Sequence, residues 1–172
     1  ILECDGTRVM LDAGFQGPRL EASLQRLGTE ARALDAGFIT HEHGDHCVGL
    51  AALLRQNPSL KVFANRETAR RIQGTQKIRP DWQLFETGST FDFRGLTVTA
   101  IPIPHDAADP VGFALECPAG DGRPARRVIR SRFASSRRMT PPPTVPSPAK
   151  ATRKASPIVQ ILYPERLLSA GG

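Results

Sequence analysis

Four side chains of types that commonly bind metal ions lie within six residues of the chain, in the order His41, His43, Asp45 and His46. Imidazole and carboxylate groups are ligands that proteins use for Zn²⁺, Fe and Mn²⁺. His41 and His43 are two residues apart, so a turn can direct both side chains at one ion, and Asp45 and His46 can then face a second. Three of the four histidines of the chain lie in this run. We therefore predict a metal site here.

The length and the charge distribution bound the class of protein. A chain of 172 residues favours one domain with one sizeable core. Residues 1–121 carry a net charge of −4 and residues 122–172 a net charge of +10, so the high isoelectric point belongs to the C-terminal part. We find no signal peptide and no apolar run that could cross a bilayer, which predicts a cytoplasmic protein without a membrane segment.

The three cysteines, Cys4, Cys47 and Cys117, are an odd number without the pair spacing of a metal site. This pattern predicts reduced thiols in a cytosolic protein rather than a disulfide framework. Cys47 adjoins His46, but a small buried apolar residue at the start of a helix is the better interpretation.

The elements around the histidine run alternate between strand and helix. Apolar periodicity predicts helices around 20–27, 48–56 and 66–72. It also predicts the following strands: 8–12, 37–39, 61–64, 83–86, 91–93, 96–103 and 111–117. Residues 122–172 are basic, rich in Pro, Ser and Arg and poor in large apolar side chains, which predicts a disordered tail, although the stretch 126–134 could begin as a strand.

The run His-x-His-x-Asp-His at 41–46 resembles the signature of the metallo-β-lactamase superfamily, whose members are mostly dinuclear metallohydrolases. The segment 104–113 resembles the third metal-binding motif of the YycJ/WalJ-like branch, whose members are described as DNA exonucleases. The stretches 9–15 and 62–65 also resemble that branch. The resemblance covers about residues 1–117 and implies an α/β (α+β) fold, the N-terminal half of an αββα sandwich.

The resemblance also implies roles for individual residues. His41, His43 and His105 would hold a first ion, and Asp45 and His46 would be ligands of a second; the ions would be Zn²⁺, with Mn²⁺ or Fe as alternatives. Asp45 could also accept a proton from the attacking water. For the other candidate residues the sequence leaves two roles open. Asp12 would either orient a motif histidine or cap a turn, and of Asp106 and Asp109 one would brace His105 while the other caps the turn before Pro110.

The sequence departs from the family after His105. The second ion needs a bridging aspartate and a final histidine, but no histidine follows His105 and the only acid after Asp121 is Glu165. The chain would then hold only one of the two ions. Because charge, composition and motifs all change near 118–127, we expect a truncated or frame-interrupted chain, with a partial hydrolase domain at 1–121 and a tail at 122–172.

Two functions follow from these observations. The first is a metal-dependent hydrolase that cleaves phosphodiester bonds, as in DNA, with a metal-activated water. The second is a catalytically inactive remnant whose basic tail binds polyanions.

Overall fold

The computed structural model describes residues 1–118 and 124–127. The predicted tail therefore lies outside the described residues, except for one short strand, and the division of the chain at residue 121 stays a prediction. In chain order the strands are β1 (Leu2–Cys4), β2 (Thr7–Leu11), β3 (Ala36–Phe38), β4 (Lys61–Asn65), β5 (Asp81–Phe85), β6 (Thr90–Phe93), β7 (Leu96–Pro102), β8 (Val111–Pro118) and β9 (Pro124–Arg127). The helices are α1 (Gly17–Arg26), α2 (Gly44–Cys47), α3 (Leu50–Gln56) and α4 (Arg66–Gln76), with a 3₁₀ turn at Ala31–Ala33.

The first sheet has five strands in the order β1-β2-β3-β4-β5. Strand β1 pairs with β2 in the antiparallel sense, and the other pairs are parallel. Parallel neighbours require crossover connections, which the helices supply. The C-terminal ends of β2, β3 and β4 consequently meet at one edge of the sheet, and the histidine run follows β3 at this edge.

The second sheet is a four-stranded antiparallel meander in the order β6-β7-β8-β9. The turn between β6 and β7 contains Arg94 and Gly95, both with positive φ, as a tight hairpin requires. Strand β9 pairs with the end of β8, so regular structure extends into the segment for which we predicted an irregular tail.

Two apolar clusters hold these layers together. One lies between the first sheet and the helices, and its buried side chains include Leu20, Leu24, Ile39, Leu50, Leu53, Leu60 and Ile72. The other lies between the two sheets and is built around Phe38, Phe63, Phe85, Leu96, Val98, Phe113 and Leu115. Three layers of the predicted αββα sandwich are therefore present among the described residues, which confirms the fold class. No helix in this part of the chain is long and apolar enough to cross a membrane.

The prediction of reduced cysteines is wrong for two of the three. Cys4 on β1 and Cys117 on β8 form a disulfide, with their Cα atoms 6.0 Å apart. Sequence spacing could not show this pair, because the two residues meet only when the sheets pack face to face. Disulfides persist in oxidising compartments, so the cysteine argument for a cytosolic protein loses its basis. Cys47 is free and buried, as predicted.

Removing the disulfide is expected to lower the free energy of unfolding by about 4–5 kcal/mol, because the bond closes a loop of more than a hundred residues. Urea denaturation of the wild type and of the double variant Cys4→Ser/Cys117→Ser measures the effect. Dithiothreitol should destabilise the wild type and leave the double variant unchanged. Equal stability of the two proteins would show that the bond contributes nothing.

Candidate metal centre

The histidine run lies where the two sheets meet at the C-terminal ends of the parallel strands. Thr40 links the sheets, since its carbonyl oxygen accepts a hydrogen bond of 3.1 Å from the backbone N–H of Val111 at the start of β8. His41 follows it and is fully buried. His105 arrives from the other side, in the loop between β7 and β8. The site is thus assembled from both sheets.

Hydrogen bonds determine which nitrogen of His41 is available to a metal ion. The Thr40 hydroxyl lies 3.0 Å from both carboxylate oxygens of Asp12 and 2.9 Å from Nδ1 of His41. An ionised carboxylate only accepts, so the hydroxyl donates to Asp12 and accepts the N–H from Nδ1. The lone pair of His41 is then on Nε2, which points towards His105. Fixing the outer N–H of a ligating imidazole in this way is a common feature of metal sites.

An acidic side chain also lies beside the outer nitrogen of His105. Its Nδ1 lies 3.1 Å from Oδ1 of Asp106, and its Nε2 lies 3.2 Å from Nε2 of His41. Of the two alternatives that the sequence left open, the structure thus places Asp106 against His105. Asp109 instead accepts a hydrogen bond from the hydroxyl of Thr87.

The three histidines fit a metal ion. One ligand nitrogen each from His41, His43 and His105 lie within 4.8 Å of one another. Two nitrogens on a tetrahedral Zn²⁺ ion are about 3.3 Å apart, given Zn–N bonds of about 2.0 Å, and the His41–His105 separation is close to this value. Three imidazoles with a fourth position open are the donor set of a catalytic zinc site.

The charge state of His41 also suits this role. Burial lowers its pKa to about 4, and the neighbouring His46, His105 and His43 add to the effect, while Asp12 opposes it. His41 is therefore neutral at physiological pH and its Nε2 can donate a lone pair.

Asp45 and His46 face each other beside this group. His46 donates from Nδ1 to Oδ2 of Asp12 at 2.8 Å, and its Nε2 lies 3.6 Å from Oδ2 of Asp45. Burial acts to lower the pKa of His46, but the hydrogen bond and the charge of Asp12 outweigh it and the pKa is raised. Among residues 1–118 no third side chain joins this pair to complete a second site. The role of both residues as ligands stays a prediction.

Close backbone contacts hold the motif in place. Ala13 donates from its N–H to the carbonyl of His46, and Gly49 donates to the carbonyl of Ala13. Gly14 packs directly against the carbonyl of Asp45, and Gly49 against that of Phe15, so neither position has room for a Cβ atom. The loop after β2 therefore fixes the position of α2.

Two features of the site were missed by sequence reasoning. The first is the Thr40 hydroxyl, described above. The second is Glu42, whose Oε1 accepts a hydrogen bond of 2.9 Å from the N–H of Ala108 in the loop that carries His105. The position of Glu42 between two candidate ligands was the only available signal, since its partner is 66 residues away.

We expect Glu42→Ala to weaken Zn²⁺ binding about tenfold, because the loop that carries His105 loses its anchor on the motif; outer contacts of this kind contribute about 10–100-fold to metal affinity. Competition with a chromogenic chelator measures the change. Glu42→Gln should retain most of the affinity, since its amide oxygen can accept the same hydrogen bond. Glu86→Ala, at an exposed site on the same chain, controls for the lost charge. Unchanged binding in Glu42→Ala would exclude the anchoring role.

The family model described as "Beta-lactamase superfamily domain" matches residues 7–128, which is more than half of the chain. The chain belongs to the metallo-β-lactamase superfamily. This confirms the resemblance found in the sequence, and the match extends beyond residue 117, where we expected it to stop. The family is one of metallohydrolases, and the histidine group of this member could hold its metal.

Two curated relatives show what this chain is similar to. Exodeoxyribonuclease WalJ of Streptococcus pneumoniae is 28% identical over 113 residues, which is 63% of this chain and 42% of that protein. Thioesterase pkgB of Emericella nidulans is 31% identical over 111 residues, 64% of this chain and 29% of that protein. The chain thus spans less than half the length of either relative.

A solved structure shows the same fold. The metallo-β-lactamase GOB-18 from Elizabethkingia meningoseptica superimposes with a TM-score of 0.58 at 17% identity, over 73% of this chain and 51% of that one. At this identity the likeness concerns the fold alone. It agrees with the predicted partial sandwich, since about half of the solved chain is matched.

Proposed function

We propose that this chain provides the metal-binding part of a hydrolase that cleaves phosphodiester bonds in DNA. The observation that carries the proposal is the group formed by His41, His43 and His105, with the basic nitrogens of His41 and His105 only 3.2 Å apart. These residues would hold a divalent ion, which would supply polarisation of the phosphoryl group and a lowered pKa of a water molecule. The choice of DNA follows the likeness to an exodeoxyribonuclease and to the third motif of that branch.

The other side chains of the site have separate roles in this proposal. Thr40 holds the outer N–H group of His41, and Asp106 lies beside Nδ1 of His105, so that the Nε2 atoms of the two histidines face each other. Asp45 is mostly exposed at the rim, where its carboxylate can accept a proton from the attacking water. His46 is held by Asp12, and with Asp45 it offers two donors to a second ion.

The experiment that tests the proposal is cleavage of a fluorescently labelled DNA strand and of bis(p-nitrophenyl) phosphate, with added Zn²⁺ or Mn²⁺. The wild type should cleave both substrates only with metal, and His43→Ala should lose this activity. Equal activity in the two proteins would exclude the assignment of the site. A thioester substrate should be included, because a thioesterase is among the relatives.

The alternative function, an inactive remnant whose tail binds polyanions, is favoured by the incomplete second group around His46. Elemental analysis of protein purified without chelator or histidine tag separates the two. We expect about one ion per chain, held by the three histidines. Two ions would mean that the second site finds other ligands, whereas near-zero metal would favour the remnant.

A further inference from the structure

Helix α4 and the loop after it carry an unusual concentration of positive charge. Five of the twelve basic residues in 1–118 fall within 66–79, which contains a single acid, Glu67. The rest of this part of the chain is acidic, since residues 1–121 carry −4 overall. The positive charge of α4 is therefore a local feature and does not reflect the composition of the domain.

Three of these five basic residues form a stripe along one side of the helix, together with Gln73. Arg66, Arg70 and Gln73 lie within about 60° of one another around the axis, at 3.6 residues per turn, and Lys77 follows as the C-cap. All four side chains are exposed. Arg66 and Lys77 make no ion pair within the described residues. Arg70 pairs with Glu67, but this pair is open to solvent and contributes little to holding the arginine in place.

The stripe begins beside the loop that carries His105. Asn65, the N-cap of α4, donates from its side-chain amide to the carbonyl of Asp109 and to the hydroxyl of Thr87. Asp109 belongs to the loop that carries His105, so the first turn of α4 lies against the loop of the site. From there the stripe leads away over about 16 Å, given a rise of 1.5 Å per residue.

We propose that this stripe, formed by Arg66, Arg70, Gln73 and Lys77, binds the phosphate backbone of a nucleic acid strand and leads it to the metal centre. This inference rests on the proposed function. It adds a surface by which the protein would bind a nucleic acid strand in preference to a small phosphodiester. The length of the stripe, about 16 Å, corresponds to about five nucleotides, since successive phosphates along one strand are about 3.4 Å apart. No aromatic side chain lies among these residues, so the contact is with phosphates and is insensitive to base sequence.

The test compares two triple variants of the full chain with the same change in charge. The stripe variant is Arg66→Gln/Arg70→Gln/Lys77→Gln, and the control is Arg26→Gln/Arg32→Gln/Arg55→Gln. The control residues are exposed on α1, the 3₁₀ turn and the end of α3, at the end of the domain opposite to the site. Binding of a labelled single-stranded oligonucleotide is measured by anisotropy across a salt series, with thermal unfolding as the check on folding.

We expect the stripe variant to bind about 10–100-fold more weakly in low salt, while the control binds like the wild type. Each lost phosphate contact on a single strand should reduce the slope of log K against log salt by about 0.7, so the slope should fall by about 2. Equal binding by the two triple variants, or an unchanged slope, would overturn the proposal. So would equally strong competition by polyglutamate of matched charge, which would indicate a general polyanion surface.

Failure of this inference can be told apart from failure of the proposed function. Cleavage of bis(p-nitrophenyl) phosphate by the wild type depends on the metal centre and reports on the proposed function alone. If the wild type cleaves it but the stripe variant still binds DNA normally, only the stripe is wrong. If the stripe variant loses binding and the wild type cleaves nothing, the stripe binds nucleic acid as proposed, but the proposed hydrolase function is wrong.

Discussion

Replacing His105 by alanine is expected to lower the affinity for Zn²⁺ by at least about a hundredfold. The ion would keep only His41 and His43 as protein ligands, whereas zinc sites of this type use three. Loss of an outer hydrogen bond alone costs about 10–100-fold in affinity, and the loss of a ligand should cost more. The side chain of His105 lies in the loop between β7 and β8, outside both apolar clusters, so the fold should tolerate the change.

Isothermal titration of the metal-free protein, or chelator competition, measures this affinity, and thermal unfolding checks the fold. His46→Ala is the matched control, because it removes an imidazole that lies beside the three-histidine group but not in it. We expect this control to retain the first ion with an affinity within tenfold of the wild type. If His46→Ala loses the ion and His105→Ala keeps it, our assignment of the ligands of the first ion is wrong.

Replacing Gly14 by alanine is expected to destabilise the protein by about 4 kcal/mol or more, a size that only severe changes reach. The new Cβ atom would overlap the carbonyl oxygen of Asp45 and lie 2.5 Å from its carbonyl carbon. Both partners are backbone atoms, so no rotamer change can relieve the overlap. Either the loop after β2 or helix α2 must move, and the second would displace Asp45 and His46.

Urea denaturation gives the loss of stability, and Zn²⁺ titration of the folded fraction gives the effect on the site. Gly74→Ala is the matched control, since a Cβ at this exposed position in α4 meets nothing within 4 Å. It should stabilise the protein by up to about 1 kcal/mol through the higher helix propensity of alanine. A stable Gly14→Ala variant would mean that the loop and α2 pack less closely than the structure shows.

The sequence predicted the ends of several elements well where their apolar pattern is strong. Strand β4 and helix α3 end within one residue of the predicted limits, at Asn65 and Gln56. Strand β1 was missed, since three residues are too few for a pattern to show. Helix α4 extends to Gln76, four residues beyond the prediction, because polar residues on its exposed side carry no periodic signal.

The candidate ligands were predictable from residue type and spacing, because imidazoles close together in sequence are rare without a metal. The partners that orient them were harder to find. The contacts of Asp12 with His46 and of Glu42 with Ala108 join residues that are 34 and 66 positions apart. Only the folded chain brings such pairs together, and the same holds for the disulfide between Cys4 and Cys117, which joins the two sheets.

The disulfide and the metal centre lie at opposite ends of the two-sheet sandwich. Cys117 is six residues along β8 from Val111, about 20 Å at the rise of a strand. The disulfide holds the two sheets together at one end of the sandwich. Opening fluctuations of the metal-free protein should therefore concentrate at the other end, where a backbone hydrogen bond joins Thr40 to Val111. Hydrogen exchange at Val111 should then be slowed by Zn²⁺, while exchange near Cys117 should not respond. The ion would close the open end and add about 1.4 kcal/mol of stability for each tenfold excess over its dissociation constant.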